Sequence, residues 1–83
     1  MKYQLTQHAQ KVLAERGIAV EWLERTLDAP EWTMPDANDP QVMRHFRVIP
    51  EFGGRVLRVA VNPTAQPPRV VSVFFDRNQK GKR

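Results

Sequence analysis

The hydrophobic positions change period once along this chain, near Pro40. Before that point they recur at helical spacing, and after it they alternate as strands do. Leu5, Ala9, Val12, Leu13 and Arg16 form an apolar stripe with one charged end. The spacing predicts a helix over Gln7–Arg16, capped by Thr6 and ended by Gly17 in the left-handed conformation. Ile18 is expected to pack back onto it. A second helix is predicted over Val20–Asp28, with Val20, Leu23 and Leu27 as its buried stripe, Trp22 beside them and Pro30 as the stop.

The segment Glu31–Pro40 reads as a proline- and aspartate-rich connection with room for a short edge strand at Trp32–Met34. Val42–Ile49 and Arg55–Asn62 alternate as half-buried strands, and Arg69–Asp76 is more continuously apolar. Gly53-Gly54 marks a turn, and Asn62-Pro63 through Pro67-Pro68 marks a longer, stiffer one. The order predicts an α+β fold, with two N-terminal helices packed on a three- to four-stranded antiparallel sheet. Joining Phe46 and Val48 with Leu57, Val59 and Val61 makes the best apolar face. That register sets His45, Arg47 and Arg58 together on the opposite face. It requires a connection of about six residues or a glycine bulge.

The chain has 83 residues, so one domain is expected, over residues 1–76, followed by a basic tail at 77–83 expected to be disordered. Arg77, Lys80, Lys82 and Arg83 supply much of the net charge of +4, and without them the body is nearly neutral. Charge alone is therefore weak evidence for a nucleic-acid partner. No cysteine is present, which removes disulfides and thiolate zinc sites. No apolar run has the length of a membrane span or opens the chain as a signal peptide would, so a cytoplasmic protein is expected.

Two histidines and three arginines carry the candidate chemistry. Cleaving RNA without a metal needs a group that moves a proton near neutral pH and cations that meet charge on the phosphate. His8 and His45 suit the first role, and Arg16, Arg47 and Arg58 the second. A purely structural reading is also open, with His8 at a helix start, Arg16 on terminal carbonyls and the strand arginines on a solvated face. Phe74 is the one strand residue placed to add an aromatic surface for bases. No metal-ligand spacing, glycine-rich phosphate loop or cofactor motif is present. Asp36 and Asp39 are expected to organise turns rather than bind calcium.

His8-Ala9, Glu15-Arg16-Gly17-Ile18 and Val70-Val71-Ser72-Val73-Phe74-Phe75 together resemble small bacterial domains of unknown function with these hallmarks. Those domains are grouped with the RelE-like, barnase-like and colicin-like ribonuclease toxins. The resemblance implies a sheet with N-terminal helices and metal-independent RNA cleavage, and it extends residue by residue only to His8 and Arg16. The chain departs from the pattern at Ala19-Val20-Glu21, where a polar cap and an acidic turn are usual. The expectation is an RNA-binding, toxin-like module with endoribonuclease activity and a cognate antitoxin as partner. The alternative is a non-catalytic interaction domain that docks a protein, or its own copy, through a sheet edge. Convergence of the five residues on one cleft would favour the first, and scatter the second.

Overall fold

The computed structural model describes residues 2–79. Strand β1 is Gln4–Leu5, helix α1 is Gln7–Arg16 and helix α2 is Val20–Asp28. Strands β2 (Trp32–Pro35), β3 (Met43–Ile49), β4 (Arg55–Asn62) and β5 (Arg69–Phe75) follow. The expected tail at 77–83 lies partly outside the described residues. Within them, Asp76 closes a turn by accepting from the Asn78 N–H at 2.9 Å.

Local chemistry accounts for both helices. Thr6 Oγ1 accepts the Ala9 N–H at 3.1 Å and lies 3.3 Å from the Val71 carbonyl, so one hydroxyl caps α1 and ties it to β5. Gly17, at φ +62°, ends the helix where a side chain would be strained, and the Ile18 N–H reaches back to the Leu13 carbonyl at 3.0 Å. Helix α2 has no side-chain cap at Ala19. Its far end is completed from the sheet, where Arg47 Nη1 donates to the Ala29 carbonyl at 2.6 Å. Arg25 pins it to the 3-10 turn Pro50–Phe52 through bonds of 3.0 and 2.8 Å to Glu51, whose carboxyl is held down to about 2.

The stripe expected on α2 requires one correction. Leu23, Thr26 and Leu27 are buried, whereas Val20 is 49% exposed. Thr26 can turn inward because its hydroxyl donates to the Trp22 carbonyl at 2.8 Å. Val20 then overhangs a shallow apolar groove beside Leu5, Leu13 and Ile18.

The sheet has five strands in the order β1-β5-β4-β3-β2, which corrects the expected three or four. The added strand, β1, runs parallel to β5, with Gln4 opposite Arg69 and Leu5 opposite Val70. Two residues are too few to show a period, so the alternation pattern could not reveal it. The edge strand at Trp32 is present, with Trp32 opposite Phe46.

The expected register of β3 on β4 is wrong by one residue. Ile49 lies opposite Arg55, Arg47 opposite Leu57, Phe46 opposite Arg58 and His45 opposite Val59. The connection Pro50–Gly54 closes tightly through its 3-10 turn and two glycines at φ +68° and +73°. A one-residue shift moves every side chain to the other face. Leu57, Val59 and Val61 accordingly join Ile49, Val70 and Val73 beneath Ala9, Leu13, Leu23 and Leu27. Phe46 faces away from the helices with Val56 and Ala60, yet it is only 1% exposed. A bulge between Ala60 and Val61 lets Val70 and Val73 share the helix-covered face despite their odd spacing.

Candidate functional site: an arginine and aromatic sheet face

The five residues chosen from the sequence do not meet in one cleft. His8 and Arg16 are exposed on the first and last turns of α1, about 12 Å apart along the axis at 1.5 Å per residue. His45 and Arg47 lie on the helix-covered side of the sheet, and Arg58 lies on the other side. The expected grouping of His45, Arg47 and Arg58 on one face is thus corrected by the register.

His45 is half-buried and its Nδ1 has no hydrogen-bond partner. Burial lowers its pKa below the ordinary histidine value, while the neighbouring Thr26 backbone acts the other way. The unfolded chain therefore takes up this proton more readily than the folded one. Its contribution is fully present above the ordinary histidine pKa and is lost as pH falls through that value toward the lower folded one. Between about pH 8 and about pH 5, the urea midpoint of wild type should fall more than that of His45→Gln. Equal falls would show that this ring carries no burial penalty.

The open face carries a different constellation. Trp32, Phe46, Arg58 and Phe74 are successive cross-strand neighbours on β2, β3, β4 and β5. The Trp32 and Phe46 rings stack at 5.2 Å with 7° between their planes. The Arg58 guanidinium lies 4.3 Å from the Phe74 ring centre. One row across four strands is thus a continuous layer of π faces with a cation set into it. Its side chains cover Phe46 where no helix does. The next row runs Met34, Arg44, Ala60, Ser72, of which Ala60 is buried.

Each arginine on this face is aimed by a carboxylate. Arg44 Nε donates to Asp36 at 3.0 Å, and Arg58 Nη1 donates to Asp76 at 3.3 Å. A guanidinium has five N–H groups, so each keeps donors beyond its carboxylate. Asp36 also accepts the N–H groups of Asn38 and Asp39. The Asn38 N–H first, then Arg44, and least of all the Asp39 N–H, hold its carboxyl below the ordinary range. Asp39 accepts the Gln41 N–H at 2.9 Å, so both aspartates organise the turn as the sequence suggests. Among the described residues no cluster of three or more His, Asp or Glu could hold a metal ion, and no helix is long and apolar enough to cross a membrane.

Phe74 was legible in the sequence as an aromatic surface. Trp32 and Phe46 were not, because the shifted register turned Phe46 into the core and left Trp32 without a partner. The signal available was the W-T-M alternation of the edge strand, which puts Trp32 and Met34 on one face.

Two helices on one side of a sheet and an arginine–aromatic layer on the other define a small α+β domain with one sheet face that no helix covers. Residues 5–75 match the model of a family described as a domain of unknown function (DUF4258). The chain belongs to that family. Comparison with curated proteins and with solved structures returns no match.

Proposed function

We propose that this domain binds single-stranded RNA on the open sheet face. The observation that carries the reading is the row Trp32, Phe46, Arg58, Phe74, in which stacked rings and an aligned guanidinium share one surface. Every base offers a π face, so such a row suits unpaired nucleotides without demanding a sequence. The free N–H groups of Arg58 and Arg44 would meet the phosphates between them. The ribonuclease-toxin part of the reading, with an antitoxin as partner, rests on sequence resemblance. Cleavage would need a proton carrier on this face, and both histidines stand elsewhere, so binding is proposed and cleavage is measured beside it.

The edge-docking alternative has less support. Strand β2 has only four residues and ends at Pro35, which has no N–H to offer a pairing strand.

The test is fluorescence anisotropy with a labelled single-stranded RNA at low salt. Trp32→Ala and Phe74→Ala should each weaken binding by about 1–3 kcal/mol, the worth of one stacked base. Affinity should also fall with added salt as counterions are released. Metal-free cleavage is assayed in the same samples, with His8→Ala and His45→Ala compared separately. Loss of cleavage in either folded variant would extend the proposal to catalysis. If wild type binds no RNA at low salt, the reading fails, and self-association or capture of a protein strand becomes the better account.

A further inference from the structure

Arg16 at the end of α1, Arg55 at the start of β4 and Arg77 after β5 line one pocket of about 110 Å³ at the end of β5. Three separate elements bring these cations together. Among the described residues none of the three is joined to a carboxylate, because the acids around them are engaged elsewhere. Glu15 faces Lys11 at 3.9 Å, Glu51 is held by Arg25, and Asp76 is held by Arg58. The pocket wall is aromatic, with Phe52 and Phe75 stacked at 4.5 Å and the Arg55 guanidinium 5.6 Å from the Phe52 ring centre. A second cavity of about 270 Å³ adjoins it and shares Arg55, Phe75 and Arg77.

Like charges converging on a small cavity repel, and the one carboxylate lining the adjoining cavity, Asp76, is already engaged by Arg58. An anion relieves that repulsion, and the guanidinium fork matches phosphate oxygens. A phosphomonoester carries about −1.5 to −2 at pH 7, whereas a diester within a chain carries one charge. We infer that this pocket takes a phosphomonoester, with the attached nucleoside in the adjoining cavity against Phe75. Building on the RNA-binding reading, the source of that group is the phosphorylated end of the strand laid across the sheet. The arginine chosen from the sequence as a phosphate ligand, Arg16, thus acts with Arg55 and Arg77 rather than with Arg47 and Arg58.

Two arms on the full chain test this. In the first, inorganic phosphate and adenosine 5′-monophosphate are titrated and followed by amide NMR shifts. Both should perturb residues around Arg55 and Arg77, and Arg55→Ala and Arg77→Ala should abolish the response. Both positions are exposed, and circular dichroism checks that the variants fold. In the second, one RNA oligomer is compared with a 5′-phosphate, a 3′-phosphate or neither. A phosphorylated end should tighten binding roughly tenfold. Both variants should lose that advantage while keeping the affinity for the unphosphorylated strand.

If the strand binds but no terminal phosphate helps, the pocket proposal fails and the sheet-face reading stands. If no RNA binds but phosphate and the mononucleotide do, in an arginine-dependent way, the sheet-face reading fails. The pocket is then a site for a free phosphomonoester.

Discussion

Phe46→Ala should destabilise the domain by about 3–5 kcal/mol, the usual cost of removing a buried aromatic ring. Domains typically hold roughly 0.05–0.15 kcal/mol per residue, so the loss is a large share of the total here. The cost is not that of a helix-packed core residue. Phe46 is 1% exposed because Trp32 stacks on it and Arg58 stands beside it across β4. Truncation removes the ring and leaves Trp32 without its stacking partner. RNA affinity should therefore fall along with stability, even at a temperature where the variant remains folded. Urea denaturation with anisotropy on the same protein checks both. A midpoint within error of wild type would show that the open face is not a packed layer.

Leu57→Ala should cost about 2–5 kcal/mol and leave RNA affinity intact in the folded protein. Leu57 is fully buried among residues of both helices and the inner sheet face, opposite Arg47 on β3 and Phe75 on β5. Its removal opens a cavity on the side away from the aromatic row. The two variants together separate the faces, since one loses stability and binding and the other loses stability alone. Loss of RNA binding in folded Leu57→Ala would mean that the ligand does not lie on the open face. An unchanged denaturation midpoint would place Leu57 outside the core and overturn the register.

The helices were legible because their signals are local. Thr6, Gly17, Pro30 and the apolar spacing between them act within a few residues, and α1 and α2 span the predicted ranges Gln7–Arg16 and Val20–Asp28. Strand β4 also matches its predicted range, Arg55–Asn62. Alternation identifies two faces of a strand without saying which one the helices cover. His45-Phe46-Arg47 shows the difficulty, since an apolar ring between two polar side chains reads as core pointing inward. The structure reverses it, burying half of His45 under α2 and using Arg47 to close the helix end.

The candidate site was harder to read for the same reason. Its residue types were visible, but its membership depended on pairing across strands. Arg58 and Phe74 were recognised separately, whereas Trp32, Phe46, Arg55 and Arg77 gained their roles only when distant segments came together. By itself the sequence determined the two helices, the positions of the main strands and the stock of arginines and aromatics, because capping, turn chemistry and periodicity are short-range. The tertiary structure decided the fifth strand, the face on which each side chain stands and which cations converge. The faces of β3 hang on the closure of Pro50–Gly54, where one residue more or less in the turn exchanges them relative to β4, and β1 exists only because the chain start reaches β5.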